Sequence, residues 1–168
     1  DLVILDSAAT GHLLRFLELP DLMRDWLKTL FRMQIKYQVV MPLSYTENLN
    51  ERLIKLSRGT RRVVETLLNP QTTEFVAVTI PEAMGLLEME DLLAALKELG
   101  IPCRHIIVNK IIPPSRCSFC SAKREEQQRY VRQVGESKGA EYLITEVELF
   151  PHQIRGLDDL REYAARIF

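Results

Sequence analysis

A chain of 168 residues is long enough for one domain with a buried core. It is 46% hydrophobic and 27% charged with a net charge of -1, which excludes a disordered chain and gives no bulk attraction to nucleic acid or to an anionic membrane. No apolar run approaches the about 20 residues of a membrane-spanning helix, no signal-peptide pattern is present, and three cysteines do not make a disulfide scaffold, so a reducing cytoplasm is the expected compartment.

The chain opens on Asp1-Leu2-Val3-Ile4-Leu5-Asp6. Four apolar residues with β-branching at their centre predict a strand buried on both faces, with Asp6 at its carboxyl end. Ser7, Ala8, Ala9 and Gly11 predict a loop that can approach a ligand closely. A short helix over Leu13–Leu19 is expected to end at Pro20, and Asp21 to cap a second over Leu22–Ile35. Pro42 interrupts. Glu47–Leu68 predicts a further helix, broken at Gly59 and closed by Asn69-Pro70.

Regular alternation follows. Phe75–Ile80 predicts a strand, and Glu82–Leu99 a helix set between Pro81 and Gly100. Cys103–Asn109 predicts a strand, Ile111–Cys120 a loop bent by Pro113-Pro114, and Ser121–Ser137 a polar helix. Tyr142–Glu146 and Leu157–Ile167 predict the last strand and helix. This alternation implies parallel strands joined by right-handed crossovers, hence a doubly wound α/β domain with a helical insert over about residues 21–69.

Several residues carry chemistry on this framework. An acid after an apolar strand, as at Asp6, is either a solvated strand end or the magnesium-holding element of a phosphoryl-transfer site. Asn109 after Ile106-Ile107-Val108 either starts a turn or offers an amide able to donate and accept, which suits an adenine edge. Glu82 is a good first-turn residue in its own right. Cys117-Ser118-Phe119-Cys120 places two thiols at metal-ligand spacing, but tetrahedral zinc needs four ligands. Cys103 and His105 read as packed or surface residues, so the pair is either completed by another chain across a two-fold axis or is a redox couple. The stripe Met23, Trp26, Leu27, Leu30 and Phe31, with Met33 and Met41, reads as core or as a surface for an apolar helix.

Taken together, Asp6-Ser7-Ala8-Ala9-Thr10-Gly11-His12 resembles the Asp-Thr-Ala-Pro-Thr-Gly-His switch loop of the arsenite-pump and tail-anchored-protein-targeting ATPases, a branch of the P-loop NTPases. Cys117 and Cys120 with Arg124, Gln127 and Tyr130 match that family's Cys-x-x-Cys-x-x-x-Arg-x-x-Gln-x-x-Tyr pattern. The strand–Pro81-Glu82 junction and the Val108-Asn109 pair also match. The segment Leu149–Gly156, containing Pro151, is similar to its Pro-x-x-x-Glu-[Ile/Val]-Arg-Gly loop, with Gln153 for Glu. Ser7 and Ala9 depart from the switch pattern, and the match is poor from Asp21 to Asn69.

The resemblance implies a cytoplasmic homodimer that binds ATP between subunits and opens and closes as it hydrolyses. Asp6 would orient the Mg²⁺ shell, and Thr10, Gly11 and His12 would move with the γ-phosphate. Glu82 and Asn109 would contact nucleotide, and the Pro151 loop would pack on adenine. Cys117 and Cys120 would clamp one Zn²⁺ shared between two subunits, a feature of the targeting branch. No Gly-x-x-x-x-Gly-Lys-[Ser/Thr] occurs in these residues, so the chain is expected to be the C-terminal part of the ATPase and inactive by itself. The partner would be the apolar helix of a tail-anchored protein or the membrane subunit of an arsenite pump. The alternative is a zinc-linked, redox-switched module that dimerises and holds clients without catalysis.

Overall fold

The computed structural model describes residues 2–6, 10–37 and 43–167, with side chains omitted at 10–14, 16, 21, 37, 43–50 and 166. Ser7, Ala8, Ala9, Met41 and Pro42 therefore lie outside the described residues, as do the side chains of Thr10, Gly11 and His12. The chain divides into two compact units, one of residues 1–73 with 99–101 and one of residues 74–98 with 102–168. Among the described residues no helix is long and apolar enough to cross a membrane.

The first unit is helical. Helix α1 spans Thr10–Tyr37 and α2 spans Leu43–Leu68. Three expectations change here. Leu2–Leu5 forms no strand, and these residues are between 78% and 88% exposed. A strand takes its backbone hydrogen bonds from a neighbour, and no described strand pairs with this one. Thr10, Gly11 and His12, expected in a loop, form the first turn of α1. Pro20 and Gly59, expected to break helices, both lie inside one. Pro20 deprives α1 of one backbone bond, at a cost of about 3 kcal/mol. Packing of α1 on α2, with Leu17, Leu27 and Leu53 buried, offsets it. Gly59 faces open space and weakens α2 by only about 1 kcal/mol relative to alanine.

The second unit is the α/β part. Strand β1 (Phe75–Thr79), helix α3 (Ala83–Leu99), strand β2 (Cys103–Ile111), helix α4 (Ser118–Lys138), strand β3 (Leu143–Glu148) and helix α5 (Gly156–Ile167) follow one another. The three strands are parallel in the order β1-β2-β3, with Ala77 opposite Ile106 and Ile106 opposite Ile144. Paired residues share a face. Ala77, Thr79, Ile106 and Val108 are buried, whereas Val76, Val78 and Leu143 on the other face are exposed.

The covered face is where the helices lie. Right-handed crossovers through strands taken in spatial order put α3 and α4 on the same side. Their buried residues supply the other half of the core: Leu86, Met89, Leu92, Leu93 and Leu96 from α3, Val131 and Val134 from α4. Ile106 and Val108 at its centre are 0% exposed. On the opposite face Val76, Val78 and Leu143 are exposed, whereas Val147, further along β3 on that same face, is buried.

Local devices set the approach of strand to helix. A Cβ on Gly85 would lie 2.6 Å from the Ile80 carbonyl oxygen, so α3 meets the end of β1 only because this residue is glycine. The buried Thr79 hydroxyl donates to the Gly85 carbonyl at 2.8 Å. At the far edge, Glu74 accepts from the Arg104 backbone N–H at 2.8 Å and from its guanidinium at 2.6 and 2.9 Å, joining the entries of β1 and β2.

Candidate nucleotide edge and thiol pair

In a parallel sheet the strand ends that share a direction share an edge. Thr79 stands opposite Val108, and Val108 opposite Glu146. Glu82, Asn109 and Pro151 therefore come at or just beyond the carboxyl ends of three neighbouring strands, on one rim of one sheet. Asp6 belongs to the other unit and is exposed.

Glu82 sits in the bend between β1 and α3, with its carboxylate exposed. Its N–H donates to the Ile80 carbonyl at 2.8 Å, and its own carbonyl accepts from Leu86 N–H at 3.0 Å, the first bond of α3. Its backbone thus starts the helix, and its side chain is left at the rim. Asn109 lies within β2, which runs two residues further than its apolar pattern predicts. Its Oδ1 accepts from the Lys110 N–H at 2.8 Å, which orients the carboxamide. Pro151 is exposed in the loop after β3. It precedes Gln153 by two residues rather than the family's four, so its assignment rests on its place after the strand. In that loop Phe150 stacks obliquely on Tyr163 of α5 with centroids 5.4 Å apart. Asp159 accepts from the Arg155 N–H at 2.9 Å, and Gly156 adopts φ +80°.

The thiol pair is built by the loop after β2. Cys117 is the N-cap of α4, in extended backbone, and is exposed. Its N–H donates to Ser115 Oγ at 3.1 Å, and the Ser121 hydroxyl donates to the Ser115 carbonyl at 2.8 Å, closing the turn that carries both cysteines. The Cys117 side chain makes no capping hydrogen bond of normal geometry. Even so, the Cys120 N–H, then the Cys120 thiol, then the Phe119 N–H favour its thiolate and hold its pKa below that of an ordinary thiol. The Cys120 thiol is pushed the other way, chiefly because its proton serves Cys117. Cys103, half-buried at the opposite end of β2, has its thiol pushed up by burial. His105 Nε2 lies 2.7 Å from Thr145 Oγ1 on the open face of the sheet. Among the described residues no third ligand joins Cys117 and Cys120.

This asymmetry has a measurable consequence. In reduced, chelator-treated protein, Cys117 is expected to alkylate before Cys120 at neutral pH, and its rate to rise with pH earlier than that of a free thiol. Iodoacetamide labelling read by peptide mass spectrometry from pH 6 to 9 checks this, and faster labelling of Cys120 would contradict it.

The family model for anion-transporting ATPases matches residues 1–168. The chain belongs to the anion-transporting ATPase family. Within it, the chain is 35% identical to the ATPase ASNA1 homolog of Entamoeba histolytica, over 98% of this chain and 53% of that protein. It is 33% identical to ATPase GET3B of Arabidopsis thaliana, over 95% of this chain and 41% of that one. It is 31% identical to ATPase get3 of Neurospora crassa, over 96% and 52%. The chain spans about half the length of these family relatives.

Sequence reasoning pointed to Glu82, Asn109, Cys117 and Cys120 individually but missed what holds the Asn109 segment in shape. Lys110 carries φ +62°. Gln127 and Arg124 of α4, recognised only as letters of a pattern, both bond the backbone beyond it. Nothing local marks this, because the partners are 12 to 17 residues apart.

Proposed function

We propose that these residues form the nucleotide-reading and dimer-forming part of a cytoplasmic, homodimeric targeting-type ATPase, driven between open and closed forms by ATP and Mg²⁺. The observation that carries this reading is the shared rim: Glu82, Asn109 and Pro151 follow three adjacent parallel strands, the edge at which open α/β sheets take their ligands. Asn109 reads the adenine edge and Glu82 contacts the nucleotide. Thr10, Gly11 and His12 answer to the γ-phosphate. Asp6 orients the Mg²⁺ shell in the intact protein. The helical unit is then an insert in the nucleotide-binding domain.

For zinc, the fit lies in the donor set. Cys117 and Cys120 are two soft ligands on one turn, one of them already favoured as thiolate, and they supply half a tetrahedral site. A two-fold axis through that turn supplies the other half. Zinc bound there would contribute a cross-link between subunits, and the cysteine pair favours the targeting branch over the arsenite pump.

A second reading rests on a different observation. Leu19, Leu22, Trp26, Leu30 and Met33 follow one face of α1, and all are exposed, Trp26 by 62%. Among the described residues of the stripe first considered, Leu27 is buried, while Met23 and Phe31 are half-buried. Such a face suits the apolar helix of a tail-anchored protein. On this reading the module dimerises through zinc, holds clients and responds to oxidation of Cys117 and Cys120, with no catalysis of its own.

ATP and GTP titrations of the intact protein separate the two. On the first reading Asn109→Ala lowers ATP affinity about tenfold, the worth of roughly 1.4 kcal/mol of base hydrogen bonding, and leaves GTP affinity unchanged. On that reading the 168 residues alone should turn over no ATP, which phosphate release from the purified stretch checks. Equal binding of ATP and GTP by the unmodified protein would reject adenine reading.

A further inference from the structure

The end of β2 leaves the sheet through a distortion. Val108 stands opposite Glu146 and Ile111 opposite Glu148, so β2 spends three steps where β3 spends two. The extra residue is a bulge, a device that re-aims neighbouring side chains. Lys110 sits in it at φ +62°, a left-handed conformation that a lysine enters at a cost of about 1 kcal/mol.

Side chains from α4 hold this conformation. Gln127 is buried, 8% exposed. Its Oε1 accepts from the Ile112 N–H at 2.8 Å and its Nε2 donates to the Lys110 carbonyl at 3.2 Å. The carboxamide therefore stands in for a strand neighbour along one side of residues 110–112. On the other side the Leu149 N–H donates to the Ile111 carbonyl at 2.7 Å. Arg124 donates to the Ile112 carbonyl and lies 3.4 Å from Glu148. The direction of the Lys110 N–H follows from this fixed backbone, and that N–H is what orients the Asn109 carboxamide.

We propose that Gln127 is a positioning residue for base selection: by pinning the left-handed Lys110 it holds the Asn109 carboxamide in the orientation that reads adenine. The inference rests on the assignment of Asn109 to the base, and it goes further by naming what sets that amide.

The test measures ATP and GTP affinities of the intact protein. Gln127→Leu is expected to lower the ATP-over-GTP preference about tenfold, as far as Asn109→Ala does, with GTP affinity within about twofold of the unmodified protein. The Gln127→Leu, Asn109→Ala pair should lose no more than either alone. Adding Lys110→Gly to Gln127→Leu should recover preference, because glycine adopts φ +62° without the clamp. A merely structural role would lower both affinities together and gain nothing from that glycine. If Gln127→Leu does not fold, Gln127→Glu is read instead: it keeps the acceptor for Ile112 but cannot donate to Lys110, and it should lose preference too. Full preference in a folded Gln127 variant, with preference lost in Asn109→Ala, would overturn the inference and leave the Asn109 reading intact. Full preference in Asn109→Ala would sink both.

Discussion

A Cys117→Ser protein is expected to lose its zinc and its dimer together. The unmodified protein should carry about one zinc per two chains, since each supplies two thiolates of a four-ligand site. Removing one thiol per chain removes two of the four ligands at once by symmetry, so the loss is nearly complete rather than graded. Metal analysis with sedimentation velocity reads both quantities on the same sample. Zinc should fall close to zero and the sedimenting species to a monomer. Cys103→Ser is the matched control, because Cys103 is half-buried at the other end of β2. One zinc per chain in the unmodified protein, or a Cys117→Ser dimer of undiminished stability, would remove the shared site. Prolonged chelation should mimic the substitution, and zinc should reverse it.

Asp6→Asn should act on turnover rather than on assembly. A carboxylate that orients the Mg²⁺ shell contributes most where charge develops on the transferred phosphoryl group, so its loss appears in kcat more than in nucleotide affinity. A fall on the order of 100-fold is expected in the intact protein, the scale of removing one preorganised electrostatic contact. ATP affinity should change by less than about threefold, and zinc content not at all. Steady-state phosphate release beside a binding titration measures the split. Turnover above half of normal would place Asp6 outside the metal shell and return it to the plain role of a solvated strand end.

What was legible in the sequence follows from how far each signal reaches along the chain. The α/β half was read to within a few residues: α3 begins at Ala83 instead of Glu82, and α4 runs Ser118–Lys138 instead of Ser121–Ser137. Its signals are local. Pro81 and Gly100 punctuate α3, and β-branched residues mark β1 and β2. The spacing of the two cysteines, and the junctions that carry Glu82 and Asn109, are local in the same sense.

What only the tertiary structure decided depends on partners distant in sequence. Pro20 and Gly59 look like helix ends when read alone, yet α1 and α2 run through both because each packs on the other. Leu2–Leu5 has the composition of a buried strand and is exposed because no described strand lies beside it. Thr79 and Gly85 set the close approach of β1 to α3, and no spacing rule names them. Gln127 and Lys110 meet across 17 residues. In the α/β unit, composition and periodicity mark which segments become strands and helices, since backbone preference is a property of a few neighbours. The backbone angle at one lysine, and hence the aim of the asparagine before it, is set by a side chain that only folding brings within hydrogen-bonding distance.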